Sequence, residues 1–424
     1  MAVRPALAEA RGLTFFLALV TKNATPPSSF GTVCAVPGKN KGARAVGRVP
    51  TCLLALAVSL LSAMSVARAH ETGHDIFSRI LRRSRKALRW RAHLTFEPLA
   101  DVAGGRRRGV TWVAAAAAGA EVRTGPFGGW QGGKIDLQVM GLLRGLPRES
   151  HLVGDAQGAS NLYNSFSFLR LITLSYRQRI AGHLLARGGI MDVNSYFDTS
   201  APASDLVNSS FGMTPTLTVN VPLTPTAPYT GWGGIVRGGP SSGRWRVGLF
   251  AGDPPAHGTV THQGFFAIAE WQSRTARHQR LKIGAWAYHN PEGPAQGGLA
   301  SPRSTNGLYG IWESHHRRLR PQHLRWGWFV ETGLNLGQVN PILYYVGVGF
   351  RLRGFPGLAP RTSLTAGVAH AGLREHPAET AWEVAWDDHL PRGLIVEPDI
   401  QYIMHPSGIY ANAVVLLLRL RKNF

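Results

Sequence analysis

Few residues in this chain have the type and spacing for covalent or metal chemistry. His70-Glu71-Thr72-Gly73-His74 matches the HExxH spacing of zinc peptidases, which needs both histidines on one helix face and a third ligand downstream. Gly73 interrupts any such helix, so a terminal tail is expected here and a zinc site is not. The only cysteines, Cys34 and Cys52, lie in a segment expected to be removed. The mature chain then has no disulfide, no thiolate ligand and no thiol nucleophile. No Walker loop occurs, and no serine or aspartate is visibly paired with a histidine. His315-His316-Arg317-Arg318 reads as a strand end or loop. No catalytic residue, metal ligand or cofactor is expected. The chemistry left is that of arginine, whose planar fork donates to sugar hydroxyls and to anions.

The elements that would position those arginines follow from composition. Glycine makes up 50 of 424 residues, well above the usual ~7%. Only 17% of residues are charged, below the ~25% of typical soluble domains. The formal net charge is +22, which keeps a nucleic-acid binder among the readings to be tested. Residues 39–69 read as a secretory leader. Lys39, Lys41, Arg44 and Arg48 form its basic region, Cys52 to Met64 its apolar core, and Ala67-Arg68-Ala69 its cleavage step. Removing the leader's eight Lys/Arg and one Asp/Glu from totals of 46 and 24 leaves a net +15. Export argues against nucleic acid as a partner.

After Ala69 no apolar run of helix-spanning length occurs; Val110–Val122 comes nearest and is broken by Thr111, Gly119 and Glu121. A membrane location therefore requires a closed barrel. Residues 76–91 form a basic amphipathic segment expected to be helical, within an N-terminal portion 70–92. From 93 onward, segments of alternating residues are separated by Gly, Pro, Asn or Asp. In Leu343–Arg353, Tyr344, Val346, Val348, Phe350 and Leu352 share one face, against Tyr345, Gly347, Gly349, Arg351 and Arg353. Arg325–Leu336 sets Trp326, Trp328 and Val330 against Arg325, Gly327, Glu331 and Gly333. Gly243–Phe250 sets Trp245, Val247 and Leu249 against Arg244, Arg246 and Gly248. An apolar face opposite an Arg/Gly face predicts lipid outside and a wet, basic lumen. The chain ends on a strand whose alternate residues are Val414, Leu416, Leu418, Leu420, Lys422 and Phe424. A terminal Phe in that phase resembles the assembly signal of bacterial outer-membrane barrels, with Lys422 snorkelling at the membrane edge.

Several stretches resemble the carbohydrate-selective porin family of the OprB type. They include Tyr163 to Leu171, Met191-Asp192-Val193-Asn194-Ser195 and, most specifically, Leu206 to Leu217 with its Asn208-Ser209-Ser210-Phe211-Gly212 core. Gly104 to Gly109, Val153 to Gly158, Gly248 to Pro254 and Glu397 to Tyr402 fall in the same order as in the family, so the resemblance spans roughly 80–424. It departs at Ile190, where the family often has Lys, at Tyr196, where it often has an acidic residue, and at a missing N-terminal Trp-Gly-Gly. The resemblance implies an all-β, sixteen-stranded antiparallel transmembrane barrel over 93–424 that passes sugars across the bacterial outer membrane. The mature 355 residues give about 22 per strand with its connection, which suits strands of about 9–11 residues.

The expected pore-lining residues are Arg170, Arg177, Arg179, Arg187 and Arg246. Arg177, Arg179 and Arg187 share parity with Ser165 and Ser167; Arg170 has the opposite parity and is either lumenal through a bulge or held at an interface. The expected partners are outer-membrane lipid, small sugars or anions as permeants, and the barrel-assembly machinery acting on Phe424. A homo-oligomer is left open. A general or anion-preferring porin is the alternative reading, and an outer-membrane enzyme the third.

Overall fold

The computed structural model describes residues 87–127, 130–240, 242–254, 264–276, 278–291, 293, 302–318, 324–338 and 340–424. Sixteen strands account for most of them: β1 Leu88–Gly105, β2 Gly109–Arg123, β3 Lys134–Arg144, β4 Phe168–Ala181, β5 Leu184–Met191, β6 Gly231–Gly238, β7 Gly243–Ala251 and β8 Phe265–Ala276. They continue as β9 Gln279–His289, β10 Ser304–Arg318, β11 Arg325–Asn335, β12 Ile342–Arg353, β13 Ser363–Leu373, β14 Glu379–Leu390, β15 Leu394–Met404 and β16 Ala411–Asn423. Each pairs antiparallel with its neighbours in sequence, and β1 pairs with β16 to close the barrel. No sheet edge is left, so the backbone hydrogen bonds are satisfied without water. Among the described residues no helix is long and apolar enough to cross a membrane.

Side chains sort by the period-2 rule. Exposed on the outside are Val247 and Leu249 of β7, Tyr344, Val346, Val348 and Phe350 of β12, and Leu416 and Leu418 of β16. Trp90, Tyr176, Trp245, Trp271 and Phe424 lie outside near the terminal end, where β1 begins and β16 ends; Trp112, Trp232, Phe265, Tyr344 and Tyr402 lie near the other. These two aromatic girdles mark the membrane interfaces of a barrel. The longest connections, 145–167 and 192–230, are at the non-terminal end, which by the same rule is the extracellular one.

The expected helix over 76–91 meets a strand at its far end. Leu88–Arg91 belong to β1 and pair with Gly119–Val122 of β2. Arg89-Trp90-Arg91 also alternates at period 2, and pairing sends Trp90 outward and completes the ladder beside β2. The barrel thus starts at Leu88, before residue 93. The rest of that segment, the HExxH match and the leader over 39–69 lie outside the described residues.

The barrel interior is packed, and its core is made by the two long connections turning inward. One buried cluster joins Leu152, Val153, Ala159, Leu206, Val207 and Phe211 of the connections to Leu99, Phe329, Tyr345 and Val415 of the wall. A second joins Val193, Phe197, Met213, Leu217 and Val221 to Ile235, Phe250, Phe266, Trp286 and Tyr309. A short helix, α1 Pro215–Thr218, lies against β11 and β12.

Candidate permeation site

An inward-turned connection carries backbone N–H groups that need partners, and the wall supplies carboxylates. Glu383 on β14 accepts from the amides of Val207 and of Asn208, the latter at 3.1 Å. Glu379 accepts from Ala156 at 2.7 Å, Gln157 at 2.9 Å and Ser407 at 2.6 Å. Glu313 on β10 accepts from Ala201 at 3.0 Å, and Glu270 on β8 from Asp198 at 3.2 Å. Arg351 and Arg246 donate to the carbonyls of Ala201 and Tyr196. Asp205 closes the set from the connection's side, with Arg353 at 2.8 Å and Ser363 at 2.6 Å.

The residues of the Asn208–Gly212 motif are fasteners in this arrangement. Asn208 caps its own turn through Ser210 at 3.0 Å and donates to Gln401 at 3.1 Å. Ser210 donates to Gln157 at 2.8 Å, joining the two connections. Phe211 packs edge-on against Phe329, with centroids 5.7 Å apart. Asp198 sits at the heart of the connection, accepting from Thr214 N at 2.8 Å and Thr214 Oγ1 at 2.7 Å. Burial raises its carboxyl to about 7, against the pull of those two bonds, and nearby Glu270 adds to the rise. Asp155 and Glu149, in the other connection, are also raised: burial dominates, and each carboxyl interacts with the other.

Most of these fastenings run to β8–β16. The opposite wall, β2–β7, presents a row of cations in direct cross-strand register: Arg123 opposite Lys134, Lys134 opposite Arg177, and Arg177 opposite Arg187. Toward the terminal end, Arg179 stands opposite Leu185, Leu185 opposite Arg237, and Arg237 opposite Arg246. Like charges directly opposite one another destabilise a sheet. Carboxylates relieve the rows only in part. Lys134 pairs with Glu121 at 2.6 Å, Arg187 with Asp136 at 2.8 Å, and Arg246 with Glu270 at 3.3 Å. Arg123, Arg177, Arg179 and Arg237 make no salt bridge among the described residues, and Arg177 acts on Glu121 only at longer range.

All five arginines singled out from the sequence occupy inward positions. Arg170 gets there through a β-bulge: Gln138 pairs with Thr173 and Val139 with Leu171, leaving Ile172 extra. Arg170 then stands opposite inward Met140, donates to Pro228 O at 3.2 Å and lies over the rings of Tyr229 and Phe166 at 5.0 and 5.6 Å. The same bulge cancels the parity that linked Arg177 and Arg179 to Ser165 and Ser167. Those two serines precede β4, and the arginines are inward through their register with Lys134 and Arg187 instead. Arg187 also lies over the ring of Tyr196, 5.2 Å away, so the family departure at Tyr196 faces the row. Sequence reasoning missed Arg123, Lys134 and Arg237, and it missed the carboxylate fasteners. Strand alternation could have found the cations; the fasteners carry no local signal.

The sequence model described as "Carbohydrate-selective porin, OprB family" matches residues 116–424. The chain belongs to the OprB family of carbohydrate-selective porins. Its fold is similar to that of Pseudomonas putida OprB at high pH, with a TM-score of 0.70 at 16% identity over 82% of this chain and 96% of that one. It is also similar to the low-pH structure of the same protein, with a TM-score of 0.54 at 14% identity over 82% and 95%. No curated protein sequence matches this porin. Family and fold together make the chain an outer-membrane channel for small solutes. In such a channel the inward cations can orient hydroxyls and attract anions without any bond being made or broken.

Proposed function

We propose that this porin is a passive diffusion channel for sugars and other small hydrophilic solutes. Arg170, Arg177, Arg179, Arg187 and Arg246 line the route between the β2–β7 wall and the inward connection. The observation that supports this most is the cation row Arg123–Lys134–Arg177–Arg187, kept on one wall at a cost to the sheet while the other wall is used to anchor the connections. Forked donors along a wet wall suit hydroxyl-rich permeants, and Tyr196 offers a ring to the apolar face of a sugar. No covalent step belongs to this reading. Export through the leader ending at Ala69, and recognition of Phe424 by the barrel-assembly machinery, complete it.

Liposomes containing the porin are expected to swell in neutral mono- and disaccharides faster than protein-free liposomes. Swelling indistinguishable from the protein-free control would sink the proposal. A second reading, an anion-preferring porin, is favoured by the unpaired Arg123, Arg177, Arg179 and Arg237. Reversal potentials in a salt gradient separate the two. Strong anion selectivity with slow swelling in neutral sugars selects the second reading.

A further inference from the structure

A second group of arginines lies outside the lumen. The turn between β1 and β2 carries Arg106, Arg107 and Arg108 in succession, all exposed, at the non-terminal end. It is a rigid turn. Gly104 and Gly105 hold φ of +74° and +59°, and a Cβ on Gly104 would lie 1.8 Å from the carbonyl oxygen of Asn412, so only glycine fits there. The amides of Arg106 and Arg107 both donate to Leu152 O, at 2.8 and 2.9 Å. The Arg106 guanidinium lies over the Tyr410 ring, 5.9 Å from its centroid. Thr111 donates to Pro147 O at 2.6 Å, which brings the exposed Arg148 to the same lip.

Arg106, Arg107 and Arg148 have no carboxylate partner among the described residues; the buried carboxylate of Asp101 acts on Arg108. Directly below the turn, Val110 and Trp112 stand exposed on the lipid face, and the Trp112 ring packs against Phe96 with centroids 6.2 Å apart. Arg108 is four residues above Trp112, about 14 Å along the strand direction at ~3.4 Å per residue. That separation carries guanidinium groups from the aromatic girdle into the headgroup layer. Pre-positioned, unpaired guanidinium groups at that depth match phosphate oxygens, which they bind in a forked geometry. The apolar surface beneath them matches acyl chains.

We infer that Arg106, Arg107 and Arg148 form a docking site for the phosphate groups of an anionic glycolipid of the outer leaflet. The site is separate from the lumen and from the permeation wall.

The test uses the full mature chain folded in neutral detergent, with lipid A bearing both phosphates and its dephosphorylated form as probes, and bound copies counted by native mass spectrometry. The phosphorylated lipid should bind at least about tenfold more tightly than the dephosphorylated one, as expected for loss of charge-assisted contacts. The triple variant Arg106→Gln, Arg107→Gln, Arg148→Gln should lose that preference while keeping heat-modifiable migration. Arg107→Gln alone, at an exposed side chain, should reduce it and guards against a misfolded triple variant. Equal binding of the two lipids by the native chain overturns the inference, as does undiminished preference in Arg107→Gln and the triple variant. Displacement of the lipid by millimolar inorganic phosphate would reassign the lip to free anions and overturn the lipid assignment.

Discussion

At the scale of single residues, two arginines one strand apart have different surroundings. Arg187 and Asp136 form an ion pair in which both side chains are 9% exposed, and Arg187 also donates to Ser175 at 2.8 Å. Arg177, directly opposite, makes no salt bridge among the described residues. Replacing Arg177 with Gln should therefore lower anion preference in reversal-potential measurements. It should also leave the thermal midpoint unchanged or raise it slightly, since it relieves a like-charge contact of roughly 0.2–1 kcal/mol. Replacing Arg187 with Gln strands a buried carboxylate and should cost roughly 3 kcal/mol, with recovery in the double variant carrying Asp136→Asn. Equal thermal losses for the two single variants would contradict the assignment. Asp198 gives a pH prediction. Its folded carboxyl titrates near 7, above the ordinary ~4 of an unfolded Asp. Between those values the folded state holds the extra proton, so stability falls as pH rises from about 4 to 7, and the penalty is complete above that. Asp198→Asn should flatten this dependence, read as amide exchange across 192–230 at pH 5 and pH 8; an unchanged pH response would refute it. Arg246 was legible from alternation within its own strand, whereas the parity used for Arg177, Arg179 and Arg187 does not survive the bulge at Ile172. Asp136 as a partner was not, because it lies 51 residues from Arg187 in the chain and meets it only once β3, β4 and β5 are in register.

At the scale of elements, the connection 192–230 is held by contacts that no local pattern announces. Glu383 accepts two of its backbone amides from a position 175 and 176 residues away. Glu383→Ala leaves both amides buried without partners, each costing about 1–3 kcal/mol. Faster amide exchange through 206–212 and a larger, noisier single-channel conductance are expected. Native exchange and native conductance in this variant would show that the carboxylate does not hold the connection. β7, β11 and β12 were legible because their two faces differ so strongly in polarity. The bulge at Ile172 was not, since a single inserted residue leaves composition untouched while reversing the parity on which a face assignment depends. The Asn208–Gly212 stretch stood out by resemblance, but its task as a fastener needed Gln401, Gln157 and Phe329, which come from distant parts of the chain.

At the scale of the whole molecule, closure depends on the first strand finding the last. The seam runs from Gly105 opposite Ala411 to His93 opposite Asn423, and the amide of Phe424 adds a final bond to Ala92 O at 3.0 Å. The Phe424 ring is 59% exposed on the lipid side, with the Lys422 ammonium 5.6 Å over it. Deleting Phe424 thus removes one hydrogen bond, worth about 1 kcal/mol net, and little packing. A closed barrel of sixteen paired strands should tolerate that loss. If the terminal Phe acts only through stability, the deletion should barely change the heat-modifiable fraction, either in cells or after refolding into detergent micelles. If the assembly machinery reads it, folded protein in outer-membrane fractions should fall several-fold while refolding of the purified chain stays normal. The exposed ring and the marginal seam contribution favour the second outcome. Comparing the two compartments decides it, because equal losses in both would assign Phe424 to the stability of the seam, and no loss in either would remove it from assembly altogether.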